Sequence, residues 1–141
     1  MDIRKKIGEE LFLFDGAMGT MLQTYGMKAG QNPEALNLED PELLSRIHRE
    51  YVEAGAQFIT TNTFGANAYK LQETGYSVTE VITAAVEIAK AATAGTGAKV
   101  ALDIGPVGKM MKPIGLLDFD QAYDYFREQV MIGAAAGADL I

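Results

Sequence analysis

Cysteine is absent from these 141 residues. That absence excludes a disulfide, a thiolate nucleophile and a thiolate-bound metal within the chain. Histidine occurs once, as His48, and a metal site needs several ligands. Positive charge is sparse as well: 12 Lys and Arg stand against 19 Asp and Glu, for a formal net charge of −7. The only basic cluster is Arg4-Lys5-Lys6, read here as a solvated segment, so a nucleic-acid surface is not expected. No apolar run approaches the roughly 20 residues that cross a bilayer. The N-terminus lacks the apolar block of a signal peptide, and the expectation is a cytoplasmic protein without a membrane partner. An apolar share of 48% and a charged share of 22% suit one globular domain with a core.

What is present is a plan used three times. Leu11-Phe12-Leu13-Phe14 runs into Asp15-Gly16-Ala17-Met18-Gly19-Thr20, an apolar run ending in a carboxylate and a glycine-bracketed turn. Such a run predicts a strand buried on both faces, as in a parallel sheet. Phe58-Ile59-Thr60-Thr61-Asn62 leads likewise into Thr63-Phe64-Gly65, and Val100-Ala101-Leu102-Asp103 into Ile104-Gly105-Pro106-Val107-Gly108. In α/β folds the chemistry sits where parallel strands end.

Between these stretches, residues 21–37 read as a long loop with Gly26, Gly30, Asn32 and Pro33. Asp40-Pro41-Glu42 predicts a helix start, with Leu43, Leu44, Ile47, Tyr51 and Val52 on its packed face and Gly55 at its end. Residues 67–71 are expected to form a short helix. Thr79 is the expected cap of the next one, which buries Val81, Ile82, Ala85, Ile88, Ala89 and Ala92. A loop through Pro113 and Gly115 follows. Asp118 or Asp120 then opens a helix predicted to turn Tyr123, Phe126, Val130 and Ala134 inward. The chain closes on Gly137-Ala138-Asp139-Leu140-Ile141, the start of a fourth strand.

Gly55-Ala56, Gly97-Ala98 and Gly137-Ala138 each precede a buried strand, at spacings of 42 and 40 residues. A strand, loop and helix per repeat is the βα unit, which builds a closed (β/α)₈ barrel or an open doubly wound sheet. Eight such units would take about 320 residues. The chain then holds about three and a half of them. It ends inside an apolar strand, and residues 1–141 are therefore read as the N-terminal part of a longer domain, cut within the fourth strand.

Each candidate residue has a bland reading beside its functional one. Asp15 can bind an amino group or act as a general base, and Asp-Gly is also a common turn pair. Asn62, Thr63 and their neighbours Thr60 and Thr61 offer neutral donors for a carboxylate, while Thr is also a good strand former. Asp103 repeats the position of Asp15, and the 105–108 turn can hold backbone near a ligand or simply close a loop. His48 sits mid-helix and reads as a partly buried helix residue. Met18 and Met21 can line a pocket or fill gaps. The Asp15-to-Thr20 turn lacks the spacing of a nucleotide loop.

Taken together, the three strand ends resemble the homocysteine S-methyltransferase family, most of all the N-terminal homocysteine-binding module of cobalamin-dependent methionine synthases. Pro33-Glu34-Ala35-Leu36-Asn37 and His48-Arg49-Glu50-Tyr51 are similar to that family as well. The resemblance implies a (β/α)₈ (TIM) barrel with zinc at the C-terminal rim, where the metal keeps the homocysteine thiol as a thiolate that takes a methyl group from a corrinoid or another donor. It implies that Asp15 binds the substrate's amino group, that Gly16, Ala17, Thr20, Asn62 and Thr63 shape the site for its carboxylate, and that the turn from Asp103 to Gly108 forms part of the floor. Two departures stand out. Val107 replaces the family's threonine between Pro and Gly, and the three cysteines that bind zinc in later strands have no counterpart here. The expectation is a substrate-positioning part without metal ligands and inactive alone, the parent carrying zinc, cobalamin and folate and cobalamin domains. Enzymes that methylate homocysteine from betaine or S-methylmethionine share these strand ends, and a non-enzymatic, self-associating half-barrel is the other alternative.

Overall fold

The computed structural model describes residues 3–141. Two strands, β1 (Phe58–Thr60) and β2 (Lys99–Ala101), pair in parallel with Phe58 opposite Lys99 and Thr60 opposite Ala101. Phe58, Ile59, Val100 and Ala101 are buried, while Thr60 and Lys99 are partly buried, as a sheet covered by helices requires of its apolar residues. A bridge joins Phe14 to Phe58 in parallel, with the N–H groups of Gln57 and Phe58 donating to the Leu13 carbonyl and that of Asp15 to Phe58. A second parallel bridge joins Ala101 to Leu140. Four parallel segments thus lie side by side in chain order, which is an α/β arrangement.

The leading segment departs from expectation. Leu11, Leu13 and Phe14 are 80%, 51% and 50% exposed, so this run is not buried on both faces. Among the described residues it pairs on one side, with residues 57 and 58, and Phe14 stacks on Phe58 at 4.7 Å between ring centroids. An apolar run alone cannot tell a two-sided strand from an edge.

Among the described residues there are five α-helices, of which α3 and α4 pack on the strands: α1 (Met18–Thr24), α2 (Leu36–Glu39), α3 (Pro41–Glu53), α4 (Val78–Thr93) and α5 (Phe119–Ala136). Helix α3 follows the sequence rules: Asp40 accepts from the Leu43 N–H, Pro41 is the first helical residue, and Leu44 and Ile47 are fully buried. Helix α4 packs on α2, α3, α5 and both strands. Its Val81, Ile82 and Val86 are fully buried, each contributing about 1.5–3 kcal/mol over an exposed side chain. No helix among the described residues is long and apolar enough to cross a membrane.

Several local expectations are corrected. The stretch 21–37, read as one long loop, overlaps the second half of α1 and the start of α2. Met18, Met21, Leu22 and Tyr25 form an i, i+3, i+4, i+7 stripe, with Leu22 fully buried. Residues 67–71 form turns in which Asn67 Oδ1 accepts from the Lys70 N–H, not a helix. Ser77, not Thr79, caps α4, through a reciprocal box with Glu80. Helix α5 starts after Asp118 but shows another face: Ala122, Gln129 and Gly133 are buried, while Tyr123, Phe126 and Ala134 are exposed.

Candidate functional site

The ends of the parallel segments meet at one cleft. Asp15 follows the leading segment, and both its carboxylate oxygens are held from β1: Oδ2 accepts the Thr60 N–H at 2.9 Å and Oδ1 the Thr60 hydroxyl at 2.7 Å. Burial raises its pKa above the ordinary carboxyl value, the Thr60 hydrogen bonds oppose that rise, and the charge of Asp103 adds to it. Asp103, at the end of β2, is likewise raised by burial. A carboxylate has about four acceptor sites, so two remain on Asp15 for a ligand.

Thr61 and Thr63 staple β1 to β2. The Asp103 N–H donates to Thr61 Oγ1 at 3.1 Å, and the Thr63 hydroxyl donates to the Asp103 carbonyl at 2.7 Å. The two hydroxyls are 2.6 Å apart. Since the Thr63 proton goes to Asp103, Thr61 is the donor between them, and both hydroxyl protons are spent inside the chain. Asn62 is similarly occupied: its Nδ2 donates to the Pro33 carbonyl at 2.7 Å and to Asn37 Oδ1 at 3.3 Å, while Asn37 Nδ2 donates to the Asn62 carbonyl at 2.8 Å. The 33–37 segment is tied to the end of β1 in this way.

A cleft of about 330 Å³ opens between these groups, bordered by residues 16–19, 33–34, 60–64 and Asp103. Its lining contains two carboxyl groups, Glu34 and Asp103, and no Lys, Arg or His. Asp15 sits behind it through Thr60. Gly16 and Ala17 border the cleft directly, whereas Thr20 lies further along α1, exposed and outside the lining. Gly16 owes its identity to a close approach: a Cβ there would come within 2.8 Å of the Tyr51 hydroxyl, which donates to the Ala17 carbonyl at 3.0 Å. Gly105 is explained in the same way by the Phe64 carbonyl, which accepts its N–H at 3.0 Å and leaves a Cβ no space. Of the 103–108 turn only Asp103 reaches the cleft. Val107 is buried against Leu117 and Ala122, so its position serves the core.

Sequence reasoning placed Glu34 and Asn37 only within a segment similar to the family and Tyr51 only on the packed face of a helix, with no part in the site. Their partners lie 31, 25 and 34 residues away in the chain, so no local pattern points to them. His48 is buried in α3 and apart from the cleft lining, and burial lowers its pKa to about 4. Among the described residues no group of three or more His, Cys, Asp or Glu could hold a metal ion. With cysteine absent as well, the chain's own residues do not fit a zinc site.

Residues 12–141 match a family model described as homocysteine S-methyltransferase. Over 77 residues the chain is 40% identical to the methionine synthase of Mycobacterium leprae (strain TN), a match covering 50% of this chain and 6% of that protein. The methionine synthase of Mycobacterium tuberculosis (strain ATCC 25618 / H37Rv) is 40% identical over the same length, with the same shares. Among solved structures, the metallated form of the homocysteine methyltransferase MmuM from Escherichia coli is similar with a TM-score of 0.82 at 26% identity, over 98% of this chain and 55% of that one. Its oxidised form gives a TM-score of 0.80. The α/β fold is thus similar to that of a homocysteine methyltransferase, of which this chain spans about half the length.

Proposed function

The chain belongs to the homocysteine S-methyltransferase family, and from that premise we propose that its cleft binds and orients the amino-acid end of homocysteine for methyl transfer to the sulfur. The observation that carries this reading is Asp15, fixed by Thr60 at the end of its segment, directly behind a cleft with no cationic side chain in its lining. A partly buried carboxyl pair whose pKa values are raised is relieved by an incoming cation, and the substrate's ammonium supplies one. In this reading Asp15 takes the ammonium and Asp103 adds negative charge across the cleft. The backbone at Gly16 and Ala17 shapes the place of the carboxylate. Thr60, Thr61, Asn62 and Thr63 act by holding the walls, since their donors are engaged. Thr20 contributes only at the outer edge.

In the parent reaction the homocysteine sulfur loses its proton and gains a methyl group as the donor's bond to that methyl breaks, giving methionine. The likeness to methionine synthases supports a corrinoid donor, with zinc, cobalamin and further domains belonging to the parent protein. Because the residues here do not fit zinc, no step is assigned to the metal in this chain, and its work is binding and orientation. Residues 1–141 are proposed as the N-terminal part of a (β/α)₈ barrel, supported by the chain-order parallel pairing of four segments.

Substituting D15N tests the reading. It preserves one acceptor for Thr60 and removes the charge, and isothermal calorimetry should show homocysteine binding weakened by about 10- to 100-fold, the range of a lost charge-assisted hydrogen bond. Unchanged affinity would remove Asp15 from the site.

A second reading, self-association, is favoured by the exposure of Leu11, Leu13 and Phe14 along the first segment together with Phe119, Tyr123 and Met131 on α5.

A further inference from the structure

Glu34 is 7% exposed, comes from a loop and not from a strand end, and still lines the cleft. Its Oε1 accepts the Gly65 N–H at 2.6 Å. A Cβ at Gly65 would come within 2.7 Å of that oxygen and 3.0 Å of the carboxyl carbon. Gly65 has no positive φ, and the Glu34 carboxyl occupies the space a side chain there would take, so a Cβ would have to displace it. The same loop is tied to β1 by Asn62 and Asn37, and the Phe64 carbonyl beside Gly65 accepts from Gly105. Moving the 64–65 turn therefore means breaking bonds to two other segments.

We propose that Glu34 is a positioning residue that clamps Gly65 and thereby fixes Phe64 as the wall against which the bound amino acid is held. The proposal rests on the cleft being the homocysteine site. Glu34 acts through the backbone of another residue. Removing its oxygen should loosen the wall, whereas exchanging it for a neutral oxygen in the same place should not.

The test uses the 141-residue chain with variants E34A, E34Q and G65A, read in two ways. The Gly65 amide proton is followed by NMR without ligand, and homocysteine affinity is measured by calorimetry. E34A should move the Gly65 resonance upfield and weaken homocysteine about tenfold, the worth of one strong hydrogen bond. E34Q should leave the Gly65 resonance near its place in the unaltered chain and the affinity within about threefold. G65A should weaken binding alone and add little on top of E34A, since the two changes break one contact. A Gly65 resonance unmoved by E34A overturns the clamp. Equal losses in E34Q and E34A also overturn it, by making charge the operative property. Failure of the unaltered chain to bind homocysteine would overturn the reading of the cleft itself. That case is told apart because the Gly65 resonance is read without ligand.

Discussion

Thr60 holds both oxygens of Asp15, one through its N–H and one through its hydroxyl, so the bonds that align the leading segment with β1 also aim the carboxylate. The place of Asp15 at the end of the leading segment was legible in the sequence because an apolar run ending in Asp-Gly is a local pattern. Glu34 was not, because its role depends on Gly65, far along the chain. His48 was legible only as a helix residue, and its burial carries a pH effect. Its folded pKa of about 4 lies below the ordinary 6.5, so neutral His48 stabilises the fold fully above pH 6.5 and less as pH falls toward 4. The difference corresponds to about 3 kcal/mol. Asp15 and Asp103, with raised pKa values, act with the opposite sign: their contribution is present below 3.8 and is lost as pH rises through their folded values. Urea unfolding of the unaltered chain and of H48L across pH 4–6.5 isolates the histidine. The gap between the two should shrink by about 3 kcal/mol on acidification, and parallel curves would mean that His48 is protonated in the folded chain.

Helix α5 shows where periodicity reads the wrong face. Its aromatic residues Tyr123 and Phe126 suggested the buried stripe, yet the packed face carries Ala122, Gln129 and Gly133, and at Gly133 Leu102 approaches too closely for a side chain. That approach comes from the residue after β2, which the helix's own sequence does not contain. G133V should cost roughly 2 kcal/mol by overpacking against Leu102, whereas A134S on the exposed side should stay within about 0.5 kcal/mol. Thermal unfolding distinguishes them, and equal effects would contradict the assigned face. Caps, being local, were more legible: Asp40 sits where the sequence placed it, and Asp118 is one of the two starts the sequence offered for α5. For α4 the cap moved two residues to Ser77, because the serine hydroxyl and Glu80 complete a reciprocal pair. S77A should cost about 1 kcal/mol.

At the scale of the whole molecule, the repeat spacing of βα units announced the parallel order that the four segments adopt. Exposure of the first segment and of the outer face of α5 was hidden in the sequence, since an apolar residue reads alike whether or not a neighbour covers it. These surfaces predict a dimer or larger species by sedimentation at micromolar concentration, and a compact monomer would count against association. In the proposed reading, the groups that orient the substrate lie in this chain and the residues for zinc in the parent protein. The most direct test is calorimetric titration of homocysteine into the chain with and without zinc, beside the full-length homocysteine methyltransferase of Escherichia coli. The account predicts zinc-dependent binding to the full-length enzyme, and binding to the 141-residue chain that zinc leaves unchanged and D15N weakens. Zinc-dependent binding to the chain alone would mean that its carboxyl groups and His48 build a metal site after all, and would contradict the assignment.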